Sequence, residues 1–306
     1  MDRRLQFLSY SGRSTLHSCP RKFQLQKLGS VGEDTDSDGS RGITLLYGGI
    51  VGEGIQQLLT GKSLDTVIWE AYLTWTLDLE LRDEKRNKSF YSAVTAFNRF
   101  DSMISNGLLQ GYKVLQYKGK PACELGFAIT FPSGFIYRGW VDCVMQHEES
   151  GEVVVIEGKT TWFSAVNPAQ YKNSSQAIGY SIVLDVLFPE LSSYKVVYLV
   201  YKTKDMNWER FEFTKSYLAR AQWIQELLFD VEDIERYDAA GIFPMRGESC
   251  VSFGRECEFI SSCTLNTRFL IKSLDAGDIE KLDRELEQYD IVLTLDDLIE
   301  AQLRKS

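Results

Sequence analysis

The 306-residue chain contains no run approaching the roughly 18 to 20 apolar residues that a bilayer-spanning helix needs. Its opening MDRRLQFLSYSGR also lacks the apolar segment of a secretory signal. A cytoplasmic, intracellular protein without membrane contact is expected. Basic charge is in short supply too. Against 43 Asp and Glu there are 34 Lys and Arg, a formal charge of −9, so nucleic acid could be held only in a local basic groove and not on a uniformly positive surface. Six Pro and 23 Gly exclude collagen-like and low-complexity chains. Of the two His, His17 reads as a packed or surface side chain and His147 as a solvated one beside a turn. What is present is an ordinary globular composition, 44% hydrophobic and 25% charged, with six Cys that a reducing compartment would keep as thiols or metal ligands.

Apolar spacing organises the chain. Residues 14–28 predict two short helical pieces or one kinked helix broken at Pro20. The following acidic loop contains Asp34, Asp36, Asp38 and Gly39, the opening of a calcium-loop pattern. Its twelfth position is Leu45 where a bidentate Glu is required, so a solvated loop is the better reading. Residues 44–110 carry three- and four-residue apolar spacing and predict a helical insertion of about three helices. In that insertion Trp69, Tyr72 and Trp75 have core spacing. After Gly111, four segments rich in Val, Ile, Tyr and Phe predict strands, with turns at Pro132 to Gly134 and Glu148 to Gly151. A helix from Ser174, two strands and a long helix from Thr214 follow. This order predicts an α/β or α+β sheet with packed helices. We divide the chain at residue 270, with a helical tail over 271–306.

Two adjacent strands carry the chemistry. Alternation puts Glu157 and Lys159 on one face of VVVIEGKTT, Gly158 admits a ligand or metal close to the backbone, and a hairpin can bring Asp142 of GWVD alongside. Two carboxylates at a strand end suit a hard divalent cation such as Mg²⁺, and the lysine suits activation of a water or stabilisation of charge on a phosphate. Ordinary strand-end ion pairs are the competing reading. The buried run from Val153 to Ile156 favours a site. Gln176 and Tyr180 follow at i and i+4 on the next helix, on a face that could reach it. Glu124, at a strand start, is a further candidate near the metal or else an exposed edge charge.

CPRKF near the N-terminus, GGIVGEGI, Glu124, GWVD, IEGK, QAIGY and a C-terminal cysteine group, in this order from Leu8 to Cys263, resemble the RecB/AddB-type nucleases of the PD-(D/E)XK superfamily and their phage-encoded single-domain relatives. The resemblance implies a restriction-endonuclease-like mixed central sheet with an αβββαβ core, occupying 1–270. It implies Mg²⁺ or Mn²⁺ held by Asp142 and Glu157 with the Gly158 backbone, catalysis by Lys159, and a positioning or DNA-holding role for Gln176 and Tyr180. It implies hydrolysis of DNA phosphodiesters, at ends or on single strands, in recombination, repair or phage DNA processing. Recombination or replication proteins are the implied partners, and host cytoplasm is the location if the chain is phage-encoded. In one respect the chain departs from the pattern: Gly52 stands where the family carries a metal-binding His. A catalytically impaired DNA-binding subunit of the same fold, or an interaction module with a structural metal, are the rival readings.

Cys19 together with Cys250, Cys257 and Cys263 could supply four thiolates, as a tetrahedral Zn²⁺ or a [4Fe–4S] cluster requires. The resemblance favours the cluster, and free thiols remain the third reading. Cys123 and Cys143 read as small core residues. Arg3, Arg4, Arg21, Lys22, Lys113, Lys118 and Lys120 are either a DNA groove or scattered surface bases.

Overall fold

The computed structural model describes residues 1–29, 43–77, 87–190, 194–252 and 255–305. The acidic loop with Asp34, Asp36 and Asp38 lies outside them. In chain order the elements begin with β1 (Phe7–Leu8), α1 (Tyr10–Ser18) and α2 (Pro20–Leu28). Proline cannot continue a helix but suits its first turn, and Pro20 opens α2 directly after Cys19 ends α1. The expected helical insertion is α3 (Ile43–Leu59), α4 (Leu64–Leu77) and α5 (Phe90–Ser105). Next come β2 (Tyr112–Val114), β3 (Gln116–Tyr117), β4 (Lys120–Pro121), β5 (Cys123–Thr130), β6 (Ile136–His147) and β7 (Val153–Thr161). The loops before and after β6 each contain a glycine with positive φ, Gly134 at 87° and Gly151 at 70°, in the turns expected there. The chain continues through α6 (Ala169–Lys172), α7 (Ser175–Leu187), β8 (Tyr194–Lys202), β9 (Asn207–Lys215) and α8 (Tyr217–Ala240). It ends with β10 (Val251–Ser252), β11 (Arg255–Glu256), α9 (Ala276–Asp283), β12 (Ile291–Thr294) and α10 (Leu295–Leu303).

These elements form a mixed α/β fold with a central mixed sheet flanked by helices, and the chain divides into two compact units. One unit comprises residues 34–125 and 141–217. In it β2 and β7 pair antiparallel with β6, β7 pairs parallel with β8, and β8 pairs antiparallel with β9. The parallel step from β7 to β8 requires a crossover, which α6 and α7 supply. One face of these strands, with Cys143, Met145, Val154, Ile156, Val197, Leu199 and Tyr201, packs against buried residues of α3, α4 and α5 such as Tyr47, Ile55, Trp75 and Phe97. Here α3 approaches α5 closely. A Cβ on Gly54 would lie 2.2 Å from the Phe97 ring, so only glycine fits that crossing. Of the three aromatics with core spacing in α4, Trp75 alone is buried. Trp69 and Tyr72 are exposed and stack on each other at 5.8 Å, because they project from the solvent side of the helix.

The other unit comprises residues 1–33, 126–140 and 218–306. In it β12 pairs parallel with β5, and β1 pairs parallel with β6. The tail therefore contributes a strand as well as helices. Its IVLT alternates buried and exposed residues and is followed at once by Thr294, which caps α10 through a capping box with Asp297. This unit buries Arg13 against Asp230, with the guanidinium also over the Trp223 ring at 5.0 Å. His17 Nε2 meets the other carboxylate oxygen of Asp230 at 2.5 Å.

Candidate active site

Strand β6 and strand β7 pair from Gln146↔Val153 to Cys143↔Ile156. The next positions outward are Asp142 and Glu157, which thus face each other where the β6–β7 pairing stops while β7 runs on beside β8 to Thr161. One bond crosses this opening: the Gly158 N–H donates to Asp142 Oδ2 at 3.1 Å. A Cβ at 158 would stand 3.6 Å from Ile55 Cδ1, an ordinary van der Waals contact, so α3 does not itself require the glycine.

Glu157 is fully buried. Both its oxygens are sealed from solvent; the Lys159 ammonium is in ion-pair contact with Oε1, and the Tyr180 side chain also reaches the carboxyl. Burial pushes the Glu157 carboxyl up, with Lys159 opposing and Glu124 adding to the shift. Asp142 is pushed up to about 8, first by burial and then by the charge of Glu157, with Lys159 and the Gly158 N–H pulling the other way. Two neighbouring carboxyls that the fold disfavours as anions, with one lysine between them, gain from a further positive charge. A divalent cation supplies it, and Mg²⁺ needs only one or two protein carboxylates if waters and substrate phosphate complete its shell. Asp142 and Glu157 fit that requirement. Among the described residues no group of three or more His, Cys, Asp or Glu side chains is placed to hold a metal.

Lys159 connects this acidic pair to α7. Its Nζ donates to Gln176 Oε1 at 3.1 Å, and Gln176 Nε2 donates to the Tyr180 hydroxyl at 2.6 Å. One helical turn separates Gln176 from Tyr180, so both reach the same strand end. The line from Glu157 through Lys159 and Gln176 to Tyr180 fixes the ammonium while its side chain keeps 37% exposure, enough to meet a substrate.

A cleft of about 310 Å³ opens beside Lys159, lined by Thr44, Gly48, Gly52, Gly158, Lys159 and Thr160 among others. Gly52 presents no side chain to it, and a Cβ built there meets nothing within 4 Å. One turn further along α3, Gln56 Nε2 donates to Glu124 Oε1 at 2.6 Å. Glu124 has φ 49°, left-handed for a non-glycine residue, and its charge raises both Asp142 and Glu157. Gln56 was not among the residues selected from sequence. Its spacing from Gly52, i to i+4 on one helix face, is the signal that could have found it.

The four distant cysteines lie in the other unit. Cys19 is buried between α1 and α2, and the Cys257 N–H donates to the Cys250 carbonyl at 2.8 Å across the β10–β11 hairpin. Arg21 Nε holds the Cys263 carbonyl at 3.0 Å. The Cys263 thiol is pushed up by burial, with Arg21 opposing and the charges of Cys19, Cys257 and Cys250 each adding. All four are free thiols, and they form no close ligand set. The candidate basic groove is largely committed elsewhere. Arg3 pairs with Asp283, Arg4 with Asp2, Lys22 with Glu258 and Lys113 with Glu148, while Arg21 is buried on backbone carbonyls. The Lys118 ammonium sits over the Tyr117 ring at 5.1 Å.

Residues 7–264 match the profile of the PD-(D/E)XK nuclease superfamily, and the chain belongs to that superfamily. Its members typically use Mg²⁺ or Mn²⁺. Among solved structures, the chain is similar to a protein of Eubacterium rectale designated a candidate exonuclease, at 12% identity and a TM-score of 0.45, over 90% of this chain and 93% of that one. It is also similar to the protein SSO0001, at 13% identity and a TM-score of 0.25, over 74% of this chain and 87% of that one. A search of curated proteins gives no match. No helix among the described residues is long and apolar enough to cross a membrane.

Proposed function

We propose that the chain is a divalent-metal-dependent deoxyribonuclease of RecB/AddB type, an exonuclease acting on DNA ends or single strands in recombination, repair or phage DNA processing within the cytoplasm. The observation that carries this reading is the neighbouring pair Asp142 and Glu157 at one strand end, both carboxyls pushed up and sharing a single lysine, Lys159. When bound, Mg²⁺ or Mn²⁺ would supply Lewis-acid polarisation of a phosphate oxygen and a more acidic water. Asp142 and Glu157 would hold it. Lys159, fixed by Gln176 and Tyr180, positions the attacking water and stabilises the charge that builds on the phosphate. Trp162 and Phe163 follow Lys159 by three and four residues and are 50% and 61% exposed. Aromatic faces so placed can stack on unpaired bases, which favours ends and single strands.

Digestion of end-labelled single- and double-stranded DNA with Mg²⁺ or Mn²⁺, comparing the parent with Lys159→Ala, tests the reading. Metal-dependent release of label that fails in Lys159→Ala is expected, and cleavage of neither substrate by the folded parent overturns it. The bare Gly52 favours a second reading, a DNA-binding subunit with an impaired site, for which binding without cleavage is the expected result. A [4Fe–4S] cluster on Cys19, Cys250, Cys257 and Cys263 is part of this proposal on the count of four thiolate donors in one unit alone. Iron, sulfide and zinc analysis after anaerobic purification separates a cluster from zinc and from free thiols.

A further inference from the structure

We propose that Cys123 and Cys143 are a redox modification site, a pair that peroxide converts to a disulfide between β5 and β6 at the edge of the metal-binding carboxylates. The two sulfurs are 3.1 Å apart, and both are free thiols. Their strands are already registered at this point, because the Val144 N–H donates to the Ala122 carbonyl at 2.8 Å, which sets Cys143 beside Cys123. Cross-strand neighbours have Cβ atoms about 4.5–5.5 Å apart, close to the separation a disulfide needs, so closure requires a shift of about 1 Å and no rearrangement of the fold. The two thiols also differ in access. Cys143 is 1% exposed, whereas Cys123 is only partly buried and is the one an oxidant can reach.

The chemistry divides accordingly. The Cys123 sulfur attacks hydrogen peroxide, the O–O bond breaks, and Cys123 becomes a sulfenic acid as water leaves. Sulfur loses two electrons and peroxide gains them. The Cys143 sulfur then attacks the sulfenic sulfur, the S–S bond forms, the S–O bond breaks, and the departing hydroxide takes the thiol proton as water. A dithiol reverses the crosslink by exchange. Cys143 is the immediate neighbour of Asp142, and Cys123 the immediate neighbour of Glu124. Drawing the two strands together therefore displaces the Asp142 backbone, and this consequence rests on the proposed nuclease site.

The experiment treats the full-length protein with hydrogen peroxide and maps disulfides by non-reducing peptide mass spectrometry, alongside Mn²⁺ affinity and DNA cleavage before and after dithiothreitol. A Cys123–Cys143 crosslink is expected, with Mn²⁺ affinity and cleavage reduced about tenfold or more, as a misplacement near 1 Å produces, and restored by the dithiol. Cys143→Ala should keep its activity and affinity under peroxide, and Cys123→Ala gives the same test if that variant folds poorly. A map in which both sulfurs stay reduced while the other four cysteines oxidise overturns the proposal. So does a loss of Mn²⁺ affinity that persists in both variants. If the reduced parent cleaves no DNA, the nuclease reading fails, and the crosslink map with the Mn²⁺ titration still decides the pair.

Discussion

Among the described residues, two sets of sequestered acidic side chains, Asp230 and the pair Asp142 and Glu157, are handled in opposite ways. Asp230, 6% exposed, has Arg13 on one carboxylate oxygen and His17 on the other, with Trp223 behind the guanidinium. Glu157 is fully buried and Asp142 half-buried beside it, and the two carboxyls share one lysine, Lys159, with Tyr180 reaching Glu157 and the Gly158 N–H reaching Asp142. A buried charge without adequate partners costs several kcal/mol, so a fold keeps such an arrangement only where something else compensates it. Asp230 is thus architecture, and Asp142 and Glu157 are the proposed cation ligands. The distinction rests on basic partners: Asp230 has one on each carboxylate oxygen, whereas Asp142 and Glu157 have one lysine between them.

Removing each kind of acid should give opposite results, and this is the largest effect expected. Asp142→Asn and Glu157→Gln should each lower metal-dependent cleavage by on the order of 10³-fold or more, because they remove ligands for the group that activates water. Their metal-free stability should equal or exceed that of the parent, since each deletes a charge that the fold disfavours. Steady-state cleavage rates and urea unfolding of the same preparations check both halves. Unchanged cleavage in either variant would remove that residue from the site.

Asp230→Ala should do the reverse. It leaves Arg13 buried without its partner and should cost about 3–5 kcal/mol of stability. At a temperature where the variant remains folded, its cleavage rate per folded molecule should stay close to that of the parent. Urea midpoints, with the slope checked for change, provide the measurement. A loss below about 1 kcal/mol, the scale of exposed pairs, would show that Asp230 is less sequestered than its contacts indicate.

Acidity sharpens the comparison next. The Asp142 carboxyl rises from an ordinary 3.8 to about 8 in the fold. As pH rises, the unfolded chain releases this proton first, so the unfolded state gains and the metal-free fold loses stability from about pH 4 up to about pH 8. Burial of Glu157 acts in the same direction. Below pH 4 the contribution is fully present. Thermal melts across this window with EDTA should show the decline, Mg²⁺ or Mn²⁺ should reduce it, and Asp142→Asn should flatten it. An identical pH dependence in parent and variant would contradict the shifted carboxyl.

Much of this arrangement was legible because it is local. Pro20 announces the break between α1 and α2, period-two alternation puts Glu157 and Lys159 on one face, and i to i+4 spacing puts Gln176 and Tyr180 together. What stayed hidden depends on pairing between distant segments. IVLT in the tail is four residues long, too short to announce itself as a strand, and only its partner β5 makes it one. The left-handed turn at Glu124 has no glycine to mark it, and its Gln56 partner is 68 residues away. Cys123 and Cys143 were readable as core residues but not as a contact, since their register depends on how β5 meets β6. The ion pairs of Arg3 and Lys22 were hidden for a similar reason: their acidic partners, Asp283 and Glu258, come from the far end of the chain.

The smallest expected effect concerns two glycines two residues apart on α3. Gly54 is jammed against Phe97, whereas Gly52 faces open space in the cleft beside Lys159. Gly52→His should therefore fold without steric penalty, and replacing a mid-helix glycine removes a local cost of up to about 1 kcal/mol. Its imidazole would enter the cleft that Gly158 and Lys159 also line. If Asp142 and Glu157 hold a cation short of one ligand, the added nitrogen should tighten Mn²⁺ binding several-fold, with less effect on Mg²⁺, because imidazole suits the softer ion. Mn²⁺ titration followed by electron paramagnetic resonance reads this without reference to turnover. Equal affinity in a folded Gly52→His variant would place the cation away from α3 and leave the glycine face as room for substrate alone.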